Sequence, residues 1–507
     1  MSAMKAQEPS THISQSAEAC YAAMKARDAR FDGCFFTGVT STGIYCRPVC
    51  SVKAPKRENC RFFGHAAQAE SAGFRPCLRC RPELAPHSVV WSIQDASYIL
   101  AHQAARLLDE PEPGSDSPSV EKLAARLGVS DRHLRRIFET QFGVSPLQYL
   151  QTRRLLTAKQ LLADTQLPVT QIALMSGFAS VRRFNAAFAA HYKLNPTQLR
   201  RAAPQTTGSE PGITIRLGYR PPYNVQAMLG FMDRRSINTI ESIATCTDEN
   251  WARRTLGIEV AGQKYSGWLH MRFDEARSQL VLIVSDSLRG VLPLVIRRVR
   301  AAYDLDADPT AINAVLHDDF PSGDGLRVPG AIDGFELAVR AILGQQITVA
   351  AARTLAQRLV HRFGETVATP WPELTRLFPS PAVLATASGD ALGQMGIVRQ
   401  RQAAIVGLAK AVEAGLQLHG GADVDATIEA LKALPGIGDW TAQYTAMRAL
   451  RWPDAFPAGD VALQKILGVQ KLRNPARMAE AASLAWKPWR SYAVIRTWAG
   501  AWRGAAI

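Results

Sequence analysis

The amino-acid sequence predicts a multidomain α+β protein built from four modules. They are a small cysteine-stapled domain (1–86), an all-α tandem helix–turn–helix domain (87–201), a small antiparallel-sheet α+β domain (213–290) and an all-α C-terminal domain (291–507). Three observations carry this. At 507 residues the chain exceeds what one hydrophobic core usually supports. Seven of its eight cysteines precede residue 81. The polar linker AAPQTTGSEPG (202–212) separates short basic helices from strand-like runs, which give way to helix from about Leu292.

Composition narrows the class. Hydrophobic residues make up 47% and charged residues 20%, a soluble globular balance. No apolar stretch of about twenty residues exists, so nothing is expected to span a membrane. The N-terminus, MSAMKAQEPSTHIS, lacks an apolar signal core, which predicts a cytoplasmic protein. The formal charge of +15 is concentrated in two places. Residues 43–82 hold eight Lys/Arg against Glu58 and Glu70, and residues 119–201 hold thirteen against four acids. The remainder balances at 38 of each sign, so the surplus marks two surfaces that face nucleic acid.

In the first module Cys46-x3-Cys50 and Cys77-x2-Cys80 are two chelating half-sites. Clustered cysteines in a cytosolic chain favour metal over disulfides, and short paired spacings let four thiolates converge on one tetrahedral Zn²⁺. Ligand type alone leaves an iron–sulfur cluster open. Cys20, Cys34 and Cys60 lie outside the pairs. A structural zinc knuckle and a reactive thiolate are both open at this point. Four thiolates around Zn²⁺ leave a net −2, so each sulfur stays deprotonated and electron-rich enough to take an electrophilic methyl group.

The stretches DGCFFTGVTSTGIYCRPVC, RENCRFF and AGFRPCLRCRPE resemble the metal-binding domain of the Ada methylation-response family over residues 30–84. The resemblance implies a bacterial, nucleoid-associated protein that holds one zinc on Cys46, Cys50, Cys77 and Cys80. It implies that Cys46 accepts a methyl group from a DNA methylphosphotriester, once per molecule. It places Thr42, Lys53, Arg75 and Arg79 against phosphates, with lysine at 53 where some relatives have arginine. Methylation takes the site from −2 to −1, which eases repulsion from DNA and strengthens binding.

In the second module, VEKLAARLGVSDRHLRRIFETQFGVSP (120–146) has apolar residues at helical spacing, with Gly128 at a turn. Ser130 or Asp131 caps its second helix, which exposes Arg132, His133, Arg135 and Arg136. VTQIALMSGFASVRRFNAAFAAHYKLNPTQLR (169–200) repeats the plan, with Gly177 at the turn and Arg182, Arg183 and Asn185 exposed. A long helix (147–164) joins the two. The pair resembles the AraC/XylS transcription activators, which implies promoter DNA and RNA polymerase as partners. The PCHR active site of methylguanine methyltransferases is absent, so no repair of O6-methylguanine is expected.

The last two modules begin with strands ITIRLGY (213–219), KYSGWLHMRF (264–273) and QLVLIVS (279–285). Further on, LPGIG lies between two helical patterns. Gly436 and Gly438 allow a tight hairpin whose amides, at a helix N-terminus, cradle a phosphate; an ordinary helix connector is the plainer reading. Asp460 follows about twenty residues later, placed to cap a helix, to stabilise a cationic sugar, or both. These features resemble the helix–hairpin–helix DNA glycosylases. RPPYNVQAMLGFMDRR, LRVPGAIDGFELAVRAILGQQITVAAA and WKPWRSYAVIRTWAGAW narrow the match to the AlkA type, 3-methyladenine glycosylase II, over residues 213–503.

That resemblance implies double-stranded alkylated DNA as substrate and Asp460 as the catalytic carboxylate. It implies an aromatic pocket of Trp440, Tyr444 and Trp498 for the flipped cationic base, and Gln346 at the wedge position. Trp440 stands where bifunctional relatives have a Schiff-base lysine, so base release without strand cleavage is expected. No four-cysteine set follows the hairpin, so no iron–sulfur cluster is expected there. Gly459 replaces an acidic residue of some relatives. Two competing readings are a DNA-binding regulator whose C-terminal half is inactive, and a glycosylase whose cysteine module is only a zinc-stapled DNA clamp.

Overall fold

The computed structural model describes residues 16–86, 96–109, 119–202, 212–245, 250–260 and 262–500. The breaker EPEPGSDSP, most of the linker and the start of the helix expected from Trp91 lie outside them. The chain forms two compact units.

The first unit carries the cysteine and helix–turn–helix modules. Four short strands form one sheet in the order Cys60–Phe63, Phe36–Val39, Ile44–Cys46, Arg75–Pro76. The last pair is parallel and the other two antiparallel. Phe36, Tyr45, Phe63 and Phe74 supply its small core. Such a core is too small to hold a domain by burial alone, which is where a metal staple contributes.

Six helices follow from Val120 to Ala202. Ser119, Ser130, Ser145 and Ser180 each cap one through a side-chain oxygen that accepts a backbone N–H. At the second helix Ser130 is the cap and Asp131 the first helical residue. Its apolar stripe, Leu134, Ile137, Phe138 and Phe142, is buried, while its arginines stay outside. Gly128 and Gly177 turn the chain at φ +67° and +85°.

Buried polar contacts join the two modules. Glu70 accepts from the Tyr45 hydroxyl (2.8 Å) and the Thr152 hydroxyl (2.7 Å). Glu83 pairs with Lys159 of the long helix Pro146–Asp164, and Arg81 with Asp164 at 2.6 Å. These charges are desolvated but mutually paired, the arrangement that burial demands.

The second unit opens on a five-stranded sheet, in the order Ile213–Gly218, Gln279–Val284, Gln263–Asp274, Asn250–Val260, Glu241–Thr245. The pairings among the last four strands are antiparallel. The three expected strands are present, and Glu241–Thr245 and Asn250–Val260 are additional to them. From Leu292 to Trp498 the unit is helical, apart from short 3₁₀ turns and an isolated bridge between Thr366 and Arg376. The hairpin joins Val424–Lys432 to Asp439–Arg448, and Asp460 begins Val461–Ile466.

Candidate functional site

Strand pairing and two tight turns assemble the cysteine cluster. Cys46 ends a strand, Cys50 closes a turn by donating its N–H to Arg47 O (3.1 Å), and Cys77 donates its N–H to Tyr45 O (3.0 Å). The four sulfurs of Cys46, Cys50, Cys77 and Cys80 lie within 4.8 Å of one another. Zn–S bonds of about 2.3 Å in a tetrahedron put sulfurs about 3.8 Å apart, so the set fits zinc with small adjustments. Arg47 braces it from inside. Its guanidinium pairs with Asp32 (2.8 Å) and donates to Cys80 O (3.0 Å), while its backbone N–H donates to Cys80 Sγ (3.3 Å). Crowding separates the thiols: S–H donation from Cys46, Cys50 and Cys80 pulls Cys77 far below the ordinary thiol range.

Cys60 donates to Lys56 O and Cys34 to Arg30 O, and Cys20 is buried beside Met24 and Phe35, so these three stand apart from the cluster. Thr42, Lys53, Arg75 and Arg79 are all exposed, on the turn before Cys46, the loop after Cys50, the last strand and the Cys77–Cys80 turn. In the helical module Arg132, Arg182, Arg183 and Asn185 are exposed. Arg135 is less free, because it lies 3.8 Å from Asp131 and 3.7 Å from Glu121.

In the second unit, residues between Trp440 and Trp498 come together. Asp460 caps its helix through Oδ1, which accepts from Leu463 N–H at 2.8 Å. Oδ2 accepts from the Trp440 indole N–H at 2.9 Å, and Oδ1 also accepts from the Trp498 indole N–H at 3.2 Å. Two of the three expected aromatics, Trp440 and Trp498, thus donate to the carboxylate, and Tyr444 packs against them. Trp440 stacks on Tyr444 at 5.0 Å and 14°, and Trp498 lies 6.3 Å from Tyr444. The Tyr444 hydroxyl accepts from Arg448. Burial raises its phenol, but Arg448 and Arg235 outweigh that and hold it below the ordinary tyrosine value. π-faces beside a carboxylate suit a cation rather than an anion.

The hairpin turns at Gly436 with φ +84°, where a Cβ would sit 3.1 Å from both Ala404 Cβ and Gln400 O; glycine is required there. Gly438 is the extended residue before Asp439–Arg448. Gln346 is exposed with φ +55°, a left-handed conformation uncommon outside glycine. Its neighbour Gln345 explains how that is held, and sequence reading missed it. The Gln345 amide donates to Gly436 O and Thr441 Oγ1, both at 3.0 Å, and Arg401 donates to Gln345 O. The loop that carries Gln346 and the hairpin thus share one hydrogen-bonded node. The only sequence signal was the paired glutamines in GQQIT.

Among the described residues no helix is long and apolar enough to cross a membrane. Four family models match the chain: the metal binding domain of Ada over 19–83, a helix-turn-helix domain over 123–202, the AlkA N-terminal domain over 214–333 and the HhH-GPD superfamily base excision DNA repair protein over 339–491. Pieces of the chain resemble single-function proteins. Over 284 residues it is 35% identical to the DNA-3-methyladenine glycosylase 2 of Escherichia coli, covering 56% of this chain and 95% of that one. Over 153 residues it is 37% identical to the same organism's bifunctional transcriptional activator/DNA repair enzyme Ada, covering 30% and 40%. One relative joins all the pieces. A Mycobacterium tuberculosis protein named "Probable bifunctional transcriptional activator/DNA repair enzyme AlkA" is 37% identical over 494 residues, 95% of this chain and 96% of its own. On that end-to-end match, and with four domain models matching in succession, the chain belongs to the family of bifunctional transcriptional activator/DNA repair enzymes of the AlkA type.

Proposed function

We propose that this protein senses alkylated DNA through Cys46, regulates transcription through its tandem helix–turn–helix module, and excises alkylated bases such as 3-methyladenine. The observation that carries the glycosylase reading is the pair of indole donors, Trp440 and Trp498, on Asp460, with Tyr444 stacked on Trp440. The two indole donors and the backbone N–H of Leu463 hold the carboxylate oriented. It then stabilises the oxocarbenium-like sugar as the C1′–N bond breaks and guides water to C1′. The flipped base, cationic from alkylation, is already a good leaving group and binds the aromatic faces. Trp440 occupies the position of a Schiff-base lysine and spends its N–H on Asp460, which supports base release without strand cleavage. Gly436 and Gly438 present backbone amides to a phosphate, and Gln346 fills the gap the base leaves. That the site keeps its carboxylate and all three aromatics weighs against a C-terminal half retained for DNA binding alone.

In the first unit the sensor step is a displacement. The Cys46 sulfur forms a bond to the methyl carbon as the C–O bond breaks, and the electron pair leaves on the phosphate. Zinc on Cys46, Cys50, Cys77 and Cys80 supplies the charge that keeps these sulfurs deprotonated at neutral pH. Thr42, Lys53, Arg75 and Arg79 hold the backbone, and Cys50, Cys77 and Cys80 act as ligands only. The thioether is a poor leaving group, so the step occurs once. Arg132, Arg135, Arg182, Arg183 and Asn185 read promoter DNA, and RNA polymerase is the partner of the activated form in the bacterial cytoplasm.

The glycosylase reading is tested by incubating methylated duplex DNA with the protein and measuring free 3-methyladenine and strand integrity. Release with an intact strand is expected, and absence of release overturns it.

A further inference from the structure

A cavity of about 270 Å³ opens beside Cys46. Thr37, Val39 and Val52 line it, with Lys25 and Arg27 also on its wall. Thr37 stands directly opposite Cys46 in the antiparallel pair, so the two side chains share one face of the sheet. Directly opposed residues have Cβ atoms about 5 Å apart. The Thr37 hydroxyl is buried and has no hydrogen-bond partner among the described residues.

The volume is large for its place. Close-packed interiors leave few voids bigger than one water, which takes up about 30 Å³. A transferred methyl group needs little more than that. Here several times that space adjoins the sulfur proposed as acceptor, walled by valines and a small β-branched residue. The cations suit the other end of the same molecule: Lys25 and Arg27 are exposed, where a phosphate would lie. Arg27 also donates to Ser51 O at 3.1 Å, which ties the helix Ala17–Ala26 to the loop that follows Cys50.

We propose that this cavity is an alkyl-binding pocket that extends the substrates of Cys46 from methyl to ethyl and propyl phosphotriesters of DNA. The proposal rests on the reading of Cys46 as alkyl acceptor. The chemistry is unchanged by chain length. The thiolate attacks the α-carbon, the S–C bond forms, the C–O bond breaks, and the electron pair leaves with the phosphate as a diester anion. No oxidant, reductant or proton is required. Chain length enters through space: the β- and γ-carbons must lie beside the sulfur at the transition state, and a site that fits only methyl rejects each added methylene about 10–200-fold.

The test uses the full zinc-loaded chain and short duplexes carrying one methyl, ethyl or n-propyl phosphotriester. Alkyl transfer is read by peptide mass mapping of Cys46, and the rates are compared with those of mercaptoethanol thiolate on the same duplexes. The expected ethyl-to-methyl ratio on the protein is at least that of the free thiolate. Thr37→Phe fills the cavity from the sheet side and Val52→Phe from the loop side. Each lowers that ratio at least about 10-fold, with thermal melting to verify that each variant is folded. An ethyl-to-methyl ratio 10-fold below the free thiolate's, or one that neither variant changes, overturns the proposal. Failure to methylate Cys46 at all would instead sink the acceptor reading.

Discussion

Asp460→Asn separates the helix cap from the catalytic charge proposed for this carboxylate, because asparagine keeps the first and loses the second. Asparagine and aspartate rank equally at helix N-caps, so the Leu463 N–H bond survives through Oδ1, as does the bond from Trp498. The new amide sets N–H against the Trp440 N–H that Oδ2 now accepts, leaving one donor unsatisfied at a cost of about 1–3 kcal/mol. That lowers the melting temperature of the second unit by a few degrees. The charge proposed to stabilise the cationic sugar disappears altogether. Removing one such electrostatic contribution typically costs about 10²–10³ in rate, or about 2.7–4 kcal/mol. Single-turnover release of 3-methyladenine, with calorimetry on the same samples, reads both quantities. A variant that melts slightly early yet excises within about threefold of wild type would refute the reasoning and leave Asp460 a helix cap.

Three further outcomes are expected. Gln345→Met keeps the side-chain length but removes the donor to Gly436 O and Thr441 Oγ1. Displacing a positioned group by an ångström costs up to about 10²-fold, and excision from a fully paired duplex should fall more than excision from a bulge, where no wedge is needed. Stripping zinc with a chelator should lower the melting temperature of the first unit and leave the second unit's excision in place, with metal analysis giving one zinc per protein. Burial and the neighbouring His102 bring His65 down to about 4, with Asp109 opposing. The unfolded chain therefore takes up that proton first as the pH falls. The first unit should lose stability between about pH 6.5 and 4, by up to roughly 3 kcal/mol, and His65→Gln should flatten that slope in melts across the range.

What the sequence revealed and what it hid divide along a physical line. Local signals were legible. Cysteine spacings, serine caps and the turn glycines at 128 and 177 each act through residues a few positions away. Even the aromatic trio was legible, because its motifs are individually distinctive. The strand Asn250–Val260 was not, because Arg253 and Arg254 interrupt its apolar pattern. The fold compensates them at long range. Arg254 is buried against Glu336 (2.8 Å) and Glu241 (3.2 Å), and Arg253 lies over the rings of Trp251 and Trp371. Gln345 was hidden for the same reason, since its partner Gly436 is 91 residues away. The cavity beside Cys46 depends on Thr37 lying opposite that cysteine, a register that composition does not reveal.

The most direct test of the account gives one preparation of the full chain a duplex carrying both a methylphosphotriester and 3-methyladenine. Peptide mass mapping and base release are then followed together. The account predicts one methyl group per protein, on Cys46, reached once and never exceeded, while 3-methyladenine continues to be released over many turnovers. A methyl group on any other residue, or base release that stops after one turnover, would contradict it.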